Sequence, residues 1–374
     1  MGTEEQREAV EHYPLRQIYF YLTKGCNLRC RHCWIAPEHQ TPDRPLPSLD
    51  PGLFRSVVEQ GRLLGLRGVK LTGGEPLLHP NLGEMLSIVR SRQLDLVMET
   101  NGTLCTPEMA RRVRDSSRRP FVSVSIDGAD PETHDWVRGV DGAFEAAVSG
   151  AGCLAEAGIR TQLIMSVMRR NAQQMEAVVR LAEKLGLESV KFNPVQPTAR
   201  GDRMHRAMET LPIRELVRLG RWVHDELSGK TALRLVFCQP MAFRPLGRMF
   251  GRGGDGCAVC NVLGILGVLA DGSYSLCGIG ETVPDLVFGH AGRDRLEDVW
   301  RGSPVLNELR GGLPGMLEGV CGDCLMKALC MGSCVAQNYY ASGRLTAPFW
   351  YCEQAMEGGL FPESRLRPAL GVPG

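Results

Sequence analysis

The sequence predicts an α/β protein in which a parallel sheet of six strand–helix units, open or curved toward a barrel, is followed by a small cysteine-rich α+β domain. Between residues 17 and 193, β-branched and aromatic runs alternate six times with amphipathic stretches, the pattern of parallel strands joined by helices. After residue 250 the chain becomes rich in glycine and cysteine with short elements, as expected where metal supplements a small core.

The six predicted strands are short and apolar, and the helices between them have recognisable starts. We predict strands over 17–23, 68–71, 95–99, 121–126, 160–168 and 189–192. We predict helices over 51–64, 81–91, 107–115, 143–157 and 172–185. Asp50-Pro51 and Thr106-Pro107 each place a capping side chain before a proline at the first helical position. Ligands of such sheets bind at the carboxyl ends of the strands, so the loops there are where we expect a site.

Changes in composition divide the 374 residues into five predicted segments. The predicted segments are an extension (1–16), the barrel (17–193), a mostly helical connector (194–250), the cysteine-rich domain (251–360) and a tail (361–374).

The longest apolar run, Val262–Ala270, is too short to span a bilayer and is predicted to be a strand. Lysine plus arginine (43) nearly balance aspartate plus glutamate (42), which disfavours a nucleic-acid partner. The charged N-terminus lacks a secretory core, so we predict a cytoplasmic protein with no membrane partner.

Fourteen cysteines without a secretory signal indicate metal or redox chemistry rather than disulfides. Cys26, Cys30 and Cys33 follow the first predicted strand, and no fourth cysteine lies nearby. Thiolates favour zinc or iron–sulfur clusters, and three ligands leave one coordination position open. The alternative is a zinc site completed by His32 or His39.

The cysteine loop and three later loops together resemble the signature of the radical S-adenosylmethionine (SAM) superfamily. Cys26-x3-Cys30-x2-Cys33 is similar to its cluster motif, and "TGGEP" (72–76) to its glycine-rich motif. "ETNG" (99–102) and "SIDG" (125–128) resemble its ribose and carboxylate contacts. The resemblance covers about residues 17–193 and implies that family's partial (β/α)6 TIM-like barrel.

The resemblance implies a [4Fe–4S] cluster held by Cys26, Cys30 and Cys33, with SAM on the open iron. Reductive cleavage of SAM would then give a 5′-deoxyadenosyl radical that abstracts a substrate hydrogen. The residues expected to contact SAM are Gly73, Gly74, Glu75, Asn101, Ser125, Asp127 and Arg138. Glu75 has a second interpretation as the cap of its own turn, and Arg138 as a solvated surface residue.

The C-terminal cysteines resemble the SPASM domain of some radical SAM enzymes, which binds two auxiliary [4Fe–4S] clusters. They are Cys257, Cys260, Cys277, Cys321, Cys324, Cys330, Cys334 and Cys352. By analogy Cys257, Cys260, Cys277 and Cys334 hold one cluster, and Cys321, Cys324, Cys330 and Cys352 the other. A pair of zinc knuckles is the alternative. Cys105 and Cys153 are expected to be buried packing residues, and Cys238 to pack or to line the cavity.

The resemblance implies an oxidative maturase that crosslinks or dehydrogenates a peptide or protein. Gly278 follows Cys277 where sulfatase-modifying relatives have an aspartate, which counts against formylglycine formation. The implied partners are an electron donor such as flavodoxin or ferredoxin and a separate leader-binding protein. Arg200, Arg203 and Arg206 are either a site for an acidic leader or a solvated turn. The alternatives are a radical SAM enzyme for a small molecule and a non-enzymatic zinc-binding interaction module.

Overall fold

One ten-stranded sheet dominates the computed structural model, which describes residues 13–251 and 260–368. In chain order the strands are β1 (Gln17–Tyr21), β2 (Gly25–Cys26), β3 (Glu38–His39), β4 (Gly68–Thr72), β5 (Asp95–Thr100), β6 (Phe121–Ser125), β7 (Arg160–Val167), β8 (Ser189–Pro194), β9 (Arg234–Phe237), β10 (Ile265–Val268), β11 (Ser273–Ser275) and β12 (Val287–His290). The sheet order is β12-β11-β10-β1-β4-β5-β6-β7-β8-β9. From β10 to β9 the strands are parallel, while β11 and β12 are antiparallel at one edge.

Helices connect the parallel strands and cover one side of the sheet, so the α/β prediction is confirmed. In the barrel they are α1 (Pro51–Leu63), α2 (Leu82–Ser91), α3 (Pro107–Asp115), α4 (Pro131–Arg138), α5 (Ala143–Glu156) and α6 (Met175–Lys184). They continue as α7 (Ala199–Arg206), α8 (Ile213–Asp225), α9 (Leu246–Phe250), α10 (Leu296–Gly302), α11 (Pro304–Gly312), α12 (Gly319–Asp323), α13 (Lys327–Cys330), α14 (Val335–Ser342) and α15 (Trp350–Glu357). Among the described residues, we find no helix with the length and apolar character of a membrane span.

The helix starts follow the local signals in the sequence. Asp50 Oδ1 accepts a hydrogen bond from Leu53 N at 3.0 Å at the start of α1. Thr106 Oγ1 accepts one from Met109 N at 3.2 Å at the start of α3. Each bond satisfies a backbone N–H that has no partner within the helix, which is why these helices begin where predicted.

The sheet extends beyond the predicted barrel at both edges. The connector predicted to be mostly helical contains β9, which pairs in parallel with β8. At the other edge β10, in the cysteine-rich region, pairs in parallel with β1. Residues 262–264, predicted to be part of a strand, form a 3-10 turn before β10. The cysteine-rich region therefore continues the barrel sheet rather than forming a sheet of its own.

The two faces of the sheet differ in polarity. On the helix-covered face Phe20 packs on Phe54 of α1 with ring centroids 4.4 Å apart. Successive side chains of a strand alternate between faces, and paired residues of parallel strands share a face. We call the opposite side the inner face; it carries polar residues along five strands. These are Tyr19, Lys70, Glu99, Gln162, Lys191 and Asn193.

Candidate active site

The loop after β1 brings three cysteine side chains together. Cys26 ends β2, which pairs with β3 through the Cys26–His39 register. Cys26 and Cys30 are buried, Cys33 is half-buried, and all three are free thiols. They share one small apolar cluster with Leu28. The structure thus places the three predicted cluster ligands in a single sheltered loop.

Hydrogen-bond donors point at two of these sulfur atoms. Leu28 N lies 3.4 Å from Cys26 Sγ, and Arg138 Nη1 lies 3.5 Å from Cys30 Sγ. Burial, and next the Cys30 thiol, raise the pKa of Cys26, so a thiolate here needs a positively charged partner. Donors aimed at sulfur together with soft ligands in a dry loop fit an iron–sulfur cluster.

The glycine-rich turn after β4 is locked against the start of this loop. Gly73 has φ +134°, a conformation that favours glycine. A Cβ on Gly74 would lie 1.8 Å from Gly25 O, the residue before Cys26. Gly74 N donates to Thr23 O at 3.1 Å, and Glu75 N to Gly25 O at 3.0 Å. These glycines, predicted to approach the methionyl amine of SAM, also allow the turn to touch the cluster loop.

Glu75 is fully enclosed and caps its own turn. Its Oε1 accepts from Leu77 N at 3.1 Å and from Thr100 Oγ1 at 2.5 Å, and its Oε2 accepts from Asn101 N at 2.8 Å. Burial raises the pKa of Glu75 to about 7, against the opposing effect of these hydrogen bonds. The carboxyl group joins the glycine turn to the end of β5, which supports the capping interpretation; contact with SAM stays a prediction.

Asn101 connects the turn after β5 to the cysteine loop. Its Nδ2 donates to Asn27 Oδ1 at 2.9 Å and lies 3.9 Å from Cys26 Sγ. Its Oδ1 accepts from Thr103 N at 2.9 Å. The predicted SAM contact therefore also fixes the position of the residue that follows Cys26.

A buried ion pair lies behind Cys30 and shows that Arg138 is not a solvated surface residue. Arg138 Nη2 is 2.8 Å from Asp127 Oδ2, and both side chains are buried. Burial acts to lower the pKa of Arg138, but Asp127 and then Cys30 outweigh it and raise that pKa. Burial acts to raise the pKa of Asp127, but the Arg138 guanidinium outweighs it and lowers that pKa. Both groups are therefore charged at neutral pH.

Two histidines complete this network as neutral groups. His32 Nε2 lies 3.7 Å from Asp127 Oδ2, and His134 Nδ1 accepts from Asp127 N at 3.1 Å. Burial lowers the pKa of each imidazole to about 4. Ser125 is half-buried at the end of β6, two residues before Asp127. The residues predicted to contact SAM thus gather around the cysteine loop at the carboxyl ends of β4, β5 and β6.

The C-terminal cysteines form two groups within the described residues. Burial raises the pKa of Cys260 and of Cys277, and the nearby thiol of Cys334 raises both further, so these three cysteines lie close together. Cys257 lies outside the described residues. The second group lines one cavity together with Leu317 and Phe361. Its members are Cys321, Cys324, Cys330 and Cys352.

The second group also receives backbone donors. Met326 N lies 3.3 Å from Cys324 Sγ, and Phe349 N lies 3.4 Å from Cys321 Sγ. The thiol of Cys352 lowers the pKa of Cys321 by donating to it. Among the described residues, no three histidine, cysteine or acidic side chains converge on a single metal ion. A four-iron cluster spreads its cysteines over different irons, so ligation of two auxiliary clusters by these groups stays our prediction.

Comparison with known proteins decides the family. A family model described as the radical SAM superfamily matches residues 20–182. The AdoMet-dependent heme synthase of Methanosarcina barkeri is 31% identical over 348 residues, which cover 90% of this chain and 96% of that protein. The chain belongs to the radical SAM superfamily. It is therefore an enzyme, and the alternative of a non-enzymatic zinc-binding module is wrong.

Other relatives of this radical SAM enzyme include peptide maturases. The mycofactocin maturase MftC of Mycobacterium tuberculosis is 25% identical over 339 residues, covering 89% of this chain and 81% of that protein. The fold is shared with Streptococcus suis SuiB bound to precursor peptide SuiA, at TM-score 0.71 and 15% identity, over 93% of this chain and 79% of that one. The resemblance to SPASM-containing maturases that the sequence indicated is confirmed at the family level.

Arg200, one of three arginines considered for leader binding, forms hydrogen bonds with the backbone of the cysteine loop instead. Its Nη2 donates to Pro37 O at 2.7 Å, its Nη1 to Cys30 O at 3.3 Å, and its backbone N to Cys33 O at 3.2 Å. Arg206 pairs with Asp202 on α7 at 2.7 Å. Arg200 therefore secures the cysteine loop from the connector, a contact that no local sequence pattern indicates.

The cysteines outside the cluster groups lie in two settings. Cys105 is buried in the main core, and Cys153 packs partly against that core, as expected. Cys238 is exposed just after β9, where its N–H donates to Phe192 O at 2.8 Å. Its thiol acts electrostatically on Cys334, so it lies near the first C-terminal group.

Replacing Arg138 with methionine is expected to destabilise the protein by about 3–5 kcal/mol, because Asp127 would remain as an uncompensated buried charge. Adding Asp127→Asn to that variant should restore a large part of the loss. Urea unfolding of the wild type, both single variants and the double variant gives the coupling energy, which we expect to be about 2–3 kcal/mol. If the two single substitutions changed the unfolding free energy additively in the double variant, Arg138 and Asp127 would not interact.

Proposed function

We propose that this radical SAM enzyme cleaves SAM reductively and carries out a net two-electron oxidation of a peptide or protein substrate. One arrangement supports the oxidative assignment: the cysteine loop and the first C-terminal group lie at the same end of the sheet, with Tyr21 between them. A Cβ on Gly278, next to Cys277, would meet the Tyr21 ring at 2.3 Å. Tyr21 also shares an apolar cluster with Cys33.

In this proposal Cys26, Cys30 and Cys33 hold a [4Fe–4S] cluster, and the C-terminal groups hold two more. When bound, the clusters and SAM supply a 5′-deoxyadenosyl radical and an electron acceptor. Gly73, Asn101 and Asp127 position SAM and the loop that carries it. A dehydrogenation or a crosslink would balance if the substrate gave one hydrogen atom to the deoxyadenosyl group, one electron to an auxiliary cluster and one proton to solvent.

The remaining partners follow from the same chemistry. Cleavage of SAM takes up one electron, which a flavodoxin or ferredoxin would supply, and the electron that the substrate gives to the auxiliary cluster would return to the same donor. A separate leader-binding protein would present the peptide. All thirteen cysteines that the structure describes are free thiols, which supports a reducing, cytoplasmic compartment.

A small-molecule substrate is the second candidate, favoured by the names of three relatives. The heme synthases of Methanosarcina barkeri, Nitratidesulfovibrio vulgaris and Oleidesulfovibrio alaskensis are 31%, 28% and 26% identical to this chain. In this case the same oxidation would act on a tetrapyrrole rather than on a peptide.

Coexpression with each small open reading frame beside the gene, followed by mass spectrometry, tests the peptide proposal. We expect one peptide to lose two hydrogens, about 2 Da, and to keep them in cells carrying the Cys30→Ala variant. An unchanged mass for every peptide, together with turnover of an iron porphyrin by the purified holoenzyme, would replace the proposal with the second candidate.

A further inference from the structure

The inner face of the sheet carries two lysines and one carboxylate near its centre. Lys70 Nζ lies 2.6 Å from Glu99 Oε1 and 4.8 Å from the centroid of the Tyr19 ring. Burial acts to raise the pKa of Glu99, but Lys70 and then Lys191 outweigh it and lower that pKa. Glu99 is therefore an anion at neutral pH, and Lys70 is the cation that neutralises it.

Lys191 is the second cation, and its charge is not matched. It is half-buried in the middle of β8, opposite Ile164 of β7. Among the residues that the structure describes, none forms a hydrogen bond or ion pair with its ammonium group. Lys70, by contrast, is paired with Glu99 and also lies near Cys260 and Cys277. Its charge acts to lower the pKa of both thiols. The inner face thus has one positive charge in excess at Lys191.

An acceptor without a partner lies two residues further along the same face. Asn193 Oδ1 is buried and has no hydrogen-bond partner within the described part of the chain. Asn193 is opposite Ser166, whose N–H donates to Asp127 Oδ1 at 2.7 Å. Leaving a buried polar atom unpaired is unfavourable, so a ligand that supplies a donor there gains affinity. Asn193 is therefore beside a loop predicted to contact SAM, and Lys191 lies two residues before it on the same face.

We infer that Lys191 and Asn193 bind an acidic residue of the substrate, with Lys191 taking the carboxylate and Asn193 Oδ1 accepting the adjacent backbone N–H. An aspartate or glutamate in a peptide offers this combination of an anion and a nearby donor. The carboxylates of an iron porphyrin have no comparable N–H beside them, because the ring nitrogens are held by the metal. This inference rests on the proposed function and specifies its substrate class.

Fluorescence anisotropy with two rhodamine-labelled peptides tests the inference. Both are neutral Gly/Ser dodecamers apart from one central residue, which is Glu in one and Gln in the other. We expect the holoenzyme to bind the Glu peptide at least tenfold more tightly. Lys191→Met and Asn193→Asp should remove the preference, whereas Lys191→Arg should keep most of it. Lys184→Met, on the exposed side of α6, is the matched control and should behave as the wild type.

Equal binding of the two peptides by the wild type, or a preference that survives Lys191→Met, would overturn the inference. Lys191-dependent binding of iron coproporphyrin III that exceeds binding of the Glu peptide would overturn its peptide part. Formation of 5′-deoxyadenosine in dithionite without substrate is measured on the same samples. This 5′-deoxyadenosine formation should be unchanged in Lys191→Met. A failure of substrate binding by Lys191 and Asn193 is therefore distinguishable from a failure of the proposed function.

Discussion

Replacement of Cys30 with alanine is expected to abolish 5′-deoxyadenosine formation while leaving the rest of the molecule folded. Cys30 is buried, and Arg138 donates to its sulfur at 3.5 Å, so its loss removes one of the three proposed cluster ligands. Iron should fall from about twelve to about eight atoms per chain, because the C-terminal groups remain intact. Iron analysis and chromatography of dithionite-treated samples measure both effects.

Cys153→Ala is the matched control for this variant. Cys153 lies on α5, is partly buried, and belongs to none of the three proposed cluster groups. The Cys153→Ala variant should keep the iron content and the SAM cleavage of the wild type. If Cys30→Ala retained either wild-type iron content or SAM cleavage, the three-cysteine loop would not be the site of the chemistry.

Replacement of Gly74 with alanine is expected to damage the same site without removing any ligand. The new Cβ would lie 1.8 Å from Gly25 O and 3.1 Å from Cys26 N, both backbone atoms of the cluster loop. Because backbone cannot swing aside as a side chain does, we expect a loss of about 3 kcal/mol in unfolding free energy and loss of the loop's iron. Urea unfolding and iron content measure these two consequences.

Gly152→Ala is the control for the added methyl group. Gly152 lies inside α5, and a Cβ there would meet nothing within 4 Å. Alanine is the better helix former, so this change should stabilise the protein by about 0.5–1 kcal/mol. Similar behaviour of the two variants would mean that the turn after β4 does not brace the cysteine loop.

The parts of the fold that were predictable are those with local signals. The six strands of the barrel follow from apolar runs, and two helix starts from Asp50-Pro51 and Thr106-Pro107. The strand β9 escaped prediction because four residues between helices give little periodicity. The pairing of β10 with β1 joins residues about 250 positions apart, and no local pattern specifies such a contact.

The candidate site divides in the same way. The cysteine spacings and the glycine-rich turn are local and were visible in the sequence. The contact of Arg138 with Cys30 joins residues 108 positions apart, and Arg200 reaches the same loop from 170 positions away. From the sequence alone, solvent exposure was an alternative for both arginines, because charged side chains are usually exposed. Only the tertiary structure shows that they are enclosed around the loop.

The proposed chemistry requires that the three-cysteine cluster leave one iron for SAM. Electron–nuclear double resonance on the dithionite-reduced protein, with SAM carrying 15N at the methionyl amine, detects such binding. We predict a hyperfine coupling to 15N that disappears in Cys30→Ala. A reduced wild-type cluster whose spectrum is unchanged by SAM and shows no 15N coupling would mean that SAM does not bind the cluster.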